Sequence, residues 1–120
     1  MVLVARLRAL LRRSAGERVA TLVAGDLRLD PGERTVVRGD ARIDVTAREF
    51  AVLEQLLRVP GQVVSKQHIV DKVWDLNFEG ELNIVEVYVR SLRKKIDEPF
   101  GRASIETVRG AGYRIRTDGG

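Results

Sequence analysis

The stretch TVRGAGYRIR, residues 107–116, sets Arg109 beside two glycines, Gly110 and Gly112, within a run that otherwise alternates. Ile105 and Thr107 on one side, and Tyr113 and Ile115 on the other, recur at every second position around a short Gly-Ala-Gly turn. Two such runs pair as a β-hairpin with Arg109 and Gly110 near its tip. A phosphate-binding P-loop needs Gly-Lys-Ser/Thr ahead of a helix, and a dinucleotide fingerprint needs its glycines between a strand and a helix. Neither follows here. An arginine at a hairpin tip is thin and cationic enough for a minor groove or a phosphate; the plainer reading leaves it solvated beside glycines that only permit the turn.

Working back from the hairpin, the chain predicts three helices. The last runs from about Leu82 to Ile96 and closes at Asp97-Glu98-Pro99. Val85, Val89, Leu92 and Ile96 form its core stripe, while Asn83, Val87, Arg90, Ser91 and Lys94 lie on a different face. An amide, a methyl-bearing group, a hydroxyl and cations suit the base edges of a major groove, and they equally suit an ordinary solvated face. A shorter helix opens at Ser65, with Ile69, Val70, Val73 and Trp74 turned inward. Before it, Thr46 and Glu49 make a capping box for a helix whose apolar face is Phe50, Leu53, Leu56 and Leu57, ending ahead of Pro60-Gly61. Residues 21–45 read as a small antiparallel sheet of three or four strands, turning at Pro31-Gly32 and at Gly39-Asp40. Asp75 to Glu81 form an acidic loop between the second and third helices. His68 reads as a surface or capping-turn residue.

A chain of 120 residues is one domain. It has no cysteine, which removes disulfide and thiol chemistry. The net charge of +4 is carried by Arg6, Arg8, Arg12, Arg13 and Arg18 against Glu17, so the remainder is neutral. That remainder is polarised. Residues 71–89 hold Lys72 against Asp71, Asp75, Glu79, Glu81 and Glu86, whereas residues 90–116 hold eight basic groups against Asp97, Glu98 and Glu106. One segment attracts polyanions and its neighbour repels them. The chain offers no paired nucleophile and base, no metal-ligand cluster and no nucleotide loop, so an enzyme is not expected and no cofactor is implied.

The opening MVLVARLRALLRR spaces Leu3, Leu7, Leu10 and Leu11 as an amphipathic basic helix. Its arginines break the apolar run a secretory signal needs. A transit peptide, a membrane-surface helix or a packing helix belonging to an upstream domain are the remaining readings.

VTAREFAVLEQLL (45–57), VVSKQHIVDKVW (63–74), NIVEVYVRSLRKKI (83–96) and ETVRGAGYRI (106–115) stand in order and at the spacings of one known family. Together they resemble the C-terminal effector domains of OmpR/PhoB-type response regulators, over about residues 20–117. The resemblance implies an α+β winged helix-turn-helix: an N-terminal antiparallel sheet, three helices and a C-terminal β-hairpin wing. It implies a cytoplasmic, sequence-specific binder of double-stranded DNA that regulates transcription, two copies lying head-to-tail on a direct repeat.

The same resemblance assigns roles to residues. Asn83, Val87, Arg90 and Ser91 would face bases in the major groove, with Lys94 on the same face. Arg109 would approach the minor groove, with Thr107 and Tyr113 near phosphate. Trp74 and Lys66 would meet the DNA backbone from the two ends of the second helix. Asp75, Asn77, Glu79 and Glu81 would lie in a loop that contacts RNA polymerase. Residues 1–19 would be the tail of a receiver domain's last helix plus a linker. The receiver's acceptor aspartate is not in this sequence, and the sensor histidine kinase would act through that receiver. Ser91 departs from the family, which commonly has a second arginine there; a serine pairs with several bases and implies fewer arginine-to-guanine contacts. A winged-helix module that contacts protein, such as polymerase or a receiver, without specific DNA binding is the alternative, supported by the neutral remainder and by Ser91.

Overall fold

A computed structural model of the chain describes residues 20–74 and 80–120. The amphipathic basic segment, and the loop residues Asp75, Asn77 and Glu79, lie outside the described residues. The sheet comes first as four antiparallel strands in sequential order: β1 (Leu22–Ala24), β2 (Leu27–Asp30), β3 (Thr35–Arg38) and β4 (Ala41–Ile43). Alternation sorts the two faces. Leu27, Leu29 and Val36 are buried, and the cross-strand row Val23, Arg28, Val37, Arg42 lies on the other face. The β2–β3 turn is held by Asp30, whose Oδ1 accepts from the amides of Gly32 and Glu33 at 2.9 and 3.1 Å.

Three helices follow, α1 (Ala47–Leu57), α2 (Lys66–Val73) and α3 (Ile84–Leu92). The predicted capping box opens α1: the Thr46 hydroxyl accepts from the Glu49 amide at 3.1 Å, and the Glu49 carboxylate accepts from the Thr46 amide at 2.8 Å. Ser65 caps α2 by accepting from the His68 amide at 3.0 Å. In α2, Ile69 and Val70 are buried, whereas Val73 and Trp74 are only half-buried against the core. After Leu92 the helix widens into a π-turn over Arg93–Asp97 and tightens to 3-10 over Glu98–Phe100, ending at Gly101 in the left-handed conformation. Val85, Val89, Leu92 and Ile96 are all buried, as their spacing predicts.

The wing is β5 (Ile105–Val108) paired with β6 (Gly112–Ile115). It is anchored as well as paired. Val64 and Tyr113 exchange both backbone hydrogen bonds, at 2.7 and 2.9 Å, so the segment just ahead of α2 lies against β6 as a third strand. Gly112 makes this approach possible, since a Cβ there would sit 2.1 Å from the Val64 carbonyl oxygen. A buried ion cluster ties the sheet to the far end of α3. Arg38 of β3 donates to Asp26 at 2.8 Å and to Asp97 at 3.5 Å, and Asp97 also accepts from the Ser104 amide at 3.0 Å.

Candidate nucleic-acid interface

Opposite its core stripe, α3 presents Asn83, Val87, Arg90 and Lys94, all exposed and spaced four, three and four residues apart along one line. Val87 is the most exposed large apolar side chain here, at 55%. Arg90 and Lys94 form no close ion pair among the described residues, although the Arg90 charge helps to lower the Glu86 carboxyl. The Asn83 side chain makes no capping bond to the helix it precedes. This line of amide, isopropyl and cationic groups is free to meet a base edge.

Ser91 departs from that line. Its hydroxyl donates a short hydrogen bond to Oε2 of the buried Glu49, and the residue is half-buried against α1. The expected hydroxyl on the free face is therefore committed to the interior edge. Ser91 sits about 80° around the helix from Asn83, at the border where α1 packs, because each residue turns about 100°. Glu49 gathers Thr46, Ser91 and Lys95, the last at 2.7 Å. Burial pushes its carboxyl up, but the hydrogen bonds from Lys95, Ser91 and the Thr46 amide, with the Lys95 charge, bring it below the ordinary glutamate value.

One flank of α3 opens into a groove of about 720 Å³ running to the wing. Lys66 lines it and is already ion-paired with Glu86 of α3 at 2.5 Å, which raises the lysine and lowers the glutamate from their usual values. Arg93 fastens the wing to α3, donating to the Ile105 carbonyl at 2.8 Å and to the Thr107 hydroxyl at 2.9 Å. Thr107 is exposed, and Arg109 stands exposed beyond it at the tip. Tyr113, which the resemblance places near phosphate, lines the same groove as Lys66 and Thr107. It is 4% exposed and belongs to the core, reaching only the wall of the groove. Burial pushes its phenol up.

The other flank is aromatic. Trp74, half-buried at the end of α2, meets Tyr88 of α3 edge-on with ring centroids 5.4 Å apart, and the Arg48 guanidinium lies 4.8 Å from the Trp74 ring centre. Of the acidic loop only Gly80 and Glu81 are described at its end, and Glu81 is exposed. The sequence reading missed Glu86, Arg93 and Arg48. Glu86 and Arg93 partner residues 20 and 12 positions away, and no local periodicity reports such pairs.

Residues 40–115 match the family described as "Transcriptional regulatory protein, C terminal". The transcriptional regulatory protein TcrA of Mycobacterium tuberculosis is 54% identical over 118 residues, an alignment covering 98% of this chain and 47% of TcrA. PcoR of Escherichia coli is 42% identical over 111 residues, covering 92% of this chain and 49% of PcoR. The chain thus spans about half the length of the curated relatives it matches. Among solved structures, the RstA DNA-binding domain of Klebsiella pneumoniae in complex with the RstA box superposes with a TM-score of 0.71 at 27% identity, covering 82% of this chain and 99% of that one. The DNA-binding domain of CpxR from E. coli gives 0.72 at 27%, covering 83% and 99%. With its sheet, three helices and anchored wing, the chain belongs to the transcriptional regulatory protein C-terminal family, the winged-helix effector domains of OmpR/PhoB-type response regulators.

Proposed function

We propose that the chain binds double-stranded DNA sequence-specifically and regulates transcription as the output domain of a response regulator. The observation that carries this is the exposed line Asn83, Val87, Arg90 and Lys94, clear of the core and flanked by the wing with its exposed Arg109. In this reading α3 enters the major groove and Arg109 approaches the minor groove. Thr107 and Trp74 sit toward phosphate, as does Lys66 once it exchanges Glu86 for a phosphate oxygen. Asp75 to Glu81 contact RNA polymerase. Residues 1–19 continue a receiver domain's last helix through a linker, so a sensor kinase acts on the chain through that receiver. Two copies bind head-to-tail on a direct repeat, and no catalytic step is assigned.

Selection of bound sequences from a random duplex pool at two salt concentrations tests this. Enrichment of a direct repeat with half-sites about one helical turn apart is the expected result. The competing reading, a protein-contacting module, is favoured by Glu86 neutralising Lys66 inside the groove. It requires no enrichment, and weak binding that simply vanishes as salt rises.

A further inference from the structure

An α-helix with its side chains is about 10–12 Å across, close to the roughly 12 Å width of a major groove. A helix seated there has a phosphate wall along each flank. The wing flank of α3 carries Lys66 and Arg109. The opposite flank is bounded by the first turn of α1, which Glu49 ties to α3 through Ser91 and Lys95, and by Trp74, which meets Tyr88.

Arg48 stands on that second flank. It is exposed, it contacts the Trp74 ring, and no carboxylate among the described residues pairs with it. Its position opposes local stability. As the second residue after the Thr46 cap it sits at the positive end of the α1 dipole, where acidic groups are favoured and a cation is not. The indole meanwhile limits where the planar guanidinium can point, which lowers the cost of ordering it on a partner. A cation kept against the helix dipole and held in place by an aromatic ring is suited to an anion outside the protein.

We propose that Arg48 is a phosphate contact on the DNA strand opposite the wing, so that the domain grips both backbones walling the groove. This rests on the DNA-binding reading above and adds a residue and a strand to it. The contact is with backbone and carries no base preference.

The test measures binding of the Arg48→Gln, Arg48→Lys and Arg109→Gln chains to labelled duplexes of arbitrary sequence, about two helical turns long, across a salt series. Removing one phosphate contact flattens the slope of log affinity against log salt by about 0.9 and weakens binding roughly eightfold at 0.1 M salt. Arg48→Gln is expected to show both effects equally on different sequences, with no loss of thermal midpoint, and Arg48→Lys to keep the parent slope. A parental slope in Arg48→Gln while Arg109→Gln flattens would overturn the Arg48 assignment and leave DNA binding standing. Loss confined to some sequences would also overturn it, by making Arg48 a base contact. If the parent itself shows no salt-dependent binding, the DNA reading fails and takes this contact with it.

Discussion

Lys95 donates to Glu49 across 2.7 Å although forty-six positions separate them, joining the turn that ends α3 to the first turn of α1. Because Glu49 also accepts from Ser91 and closes the Thr46 capping box, one carboxylate sets the rotation of α3 against α1.

Glu49→Gln is therefore expected to destabilise the fold by about 1–3 kcal/mol at neutral pH, the usual range for weakening hydrogen bonds to a buried charged group. The pH dependence has a definite sign. The native carboxyl lies below its unfolded value of about 4.3. Its contribution is complete above that value and is lost as pH falls through the lower native one. Urea denaturation at pH 7 and pH 3 should show the gap between parent and variant closing in acid.

Ser91 and Val87 should separate cleanly. Ser91→Ala removes a hydrogen bond to a buried charged group and should cost roughly 1–2 kcal/mol of stability, with base preference unchanged. Val87→Asn should leave stability alone and shift preference by roughly 1–3 kcal/mol per discriminated base pair. Binding to a panel of single-base variants of a selected site, paired with melting curves, distinguishes them. Altered preference in Ser91→Ala would return the hydroxyl to the reading face.

Arg109→Ala should weaken binding to every sequence alike and reduce the salt slope by about 0.9. Unchanged affinity in a salt titration would remove the wing tip from the interface.

At Gly112 the backbone is at φ +144 and a Cβ would meet the Val64 carbonyl oxygen at 2.1 Å. Gly112→Ala should cost about 3 kcal/mol from strain and lost contact. Amide hydrogen exchange is the sensitive readout, with Val64 and Tyr113 expected to lose protection first.

Glu79→Ala with Glu81→Ala should lower transcription activation and leave DNA affinity intact. Reporter assays read alongside binding measurements check this, and loss of DNA binding would refute the polymerase-contact role.

Local pattern carried the elements. The Thr46 and Glu49 spacing, the Val85, Val89, Leu92 and Ile96 stripe, and the alternation around Gly110 each specify a structure within a few residues, and each appears. What sequence did not carry is how elements meet. Ser91 lies on the border between faces, where a few tens of degrees decide between solvent and Glu49. Tyr113 alternates correctly in its strand, but its burial depends on the segment at Val64, forty-nine positions earlier. Lys66 reads as a free cation until α3 brings Glu86 beside it.

The strand-like pairing of Val64 with Tyr113 bears on kinetics. Since β6 is bonded on both edges, the wing is preassembled with the start of α2 instead of hanging as an independent arm. Docking on a duplex then requires little further ordering of the wing backbone. Encounter should resemble that of a rigid body, and substitutions along the interface should register mainly in how long the complex lasts.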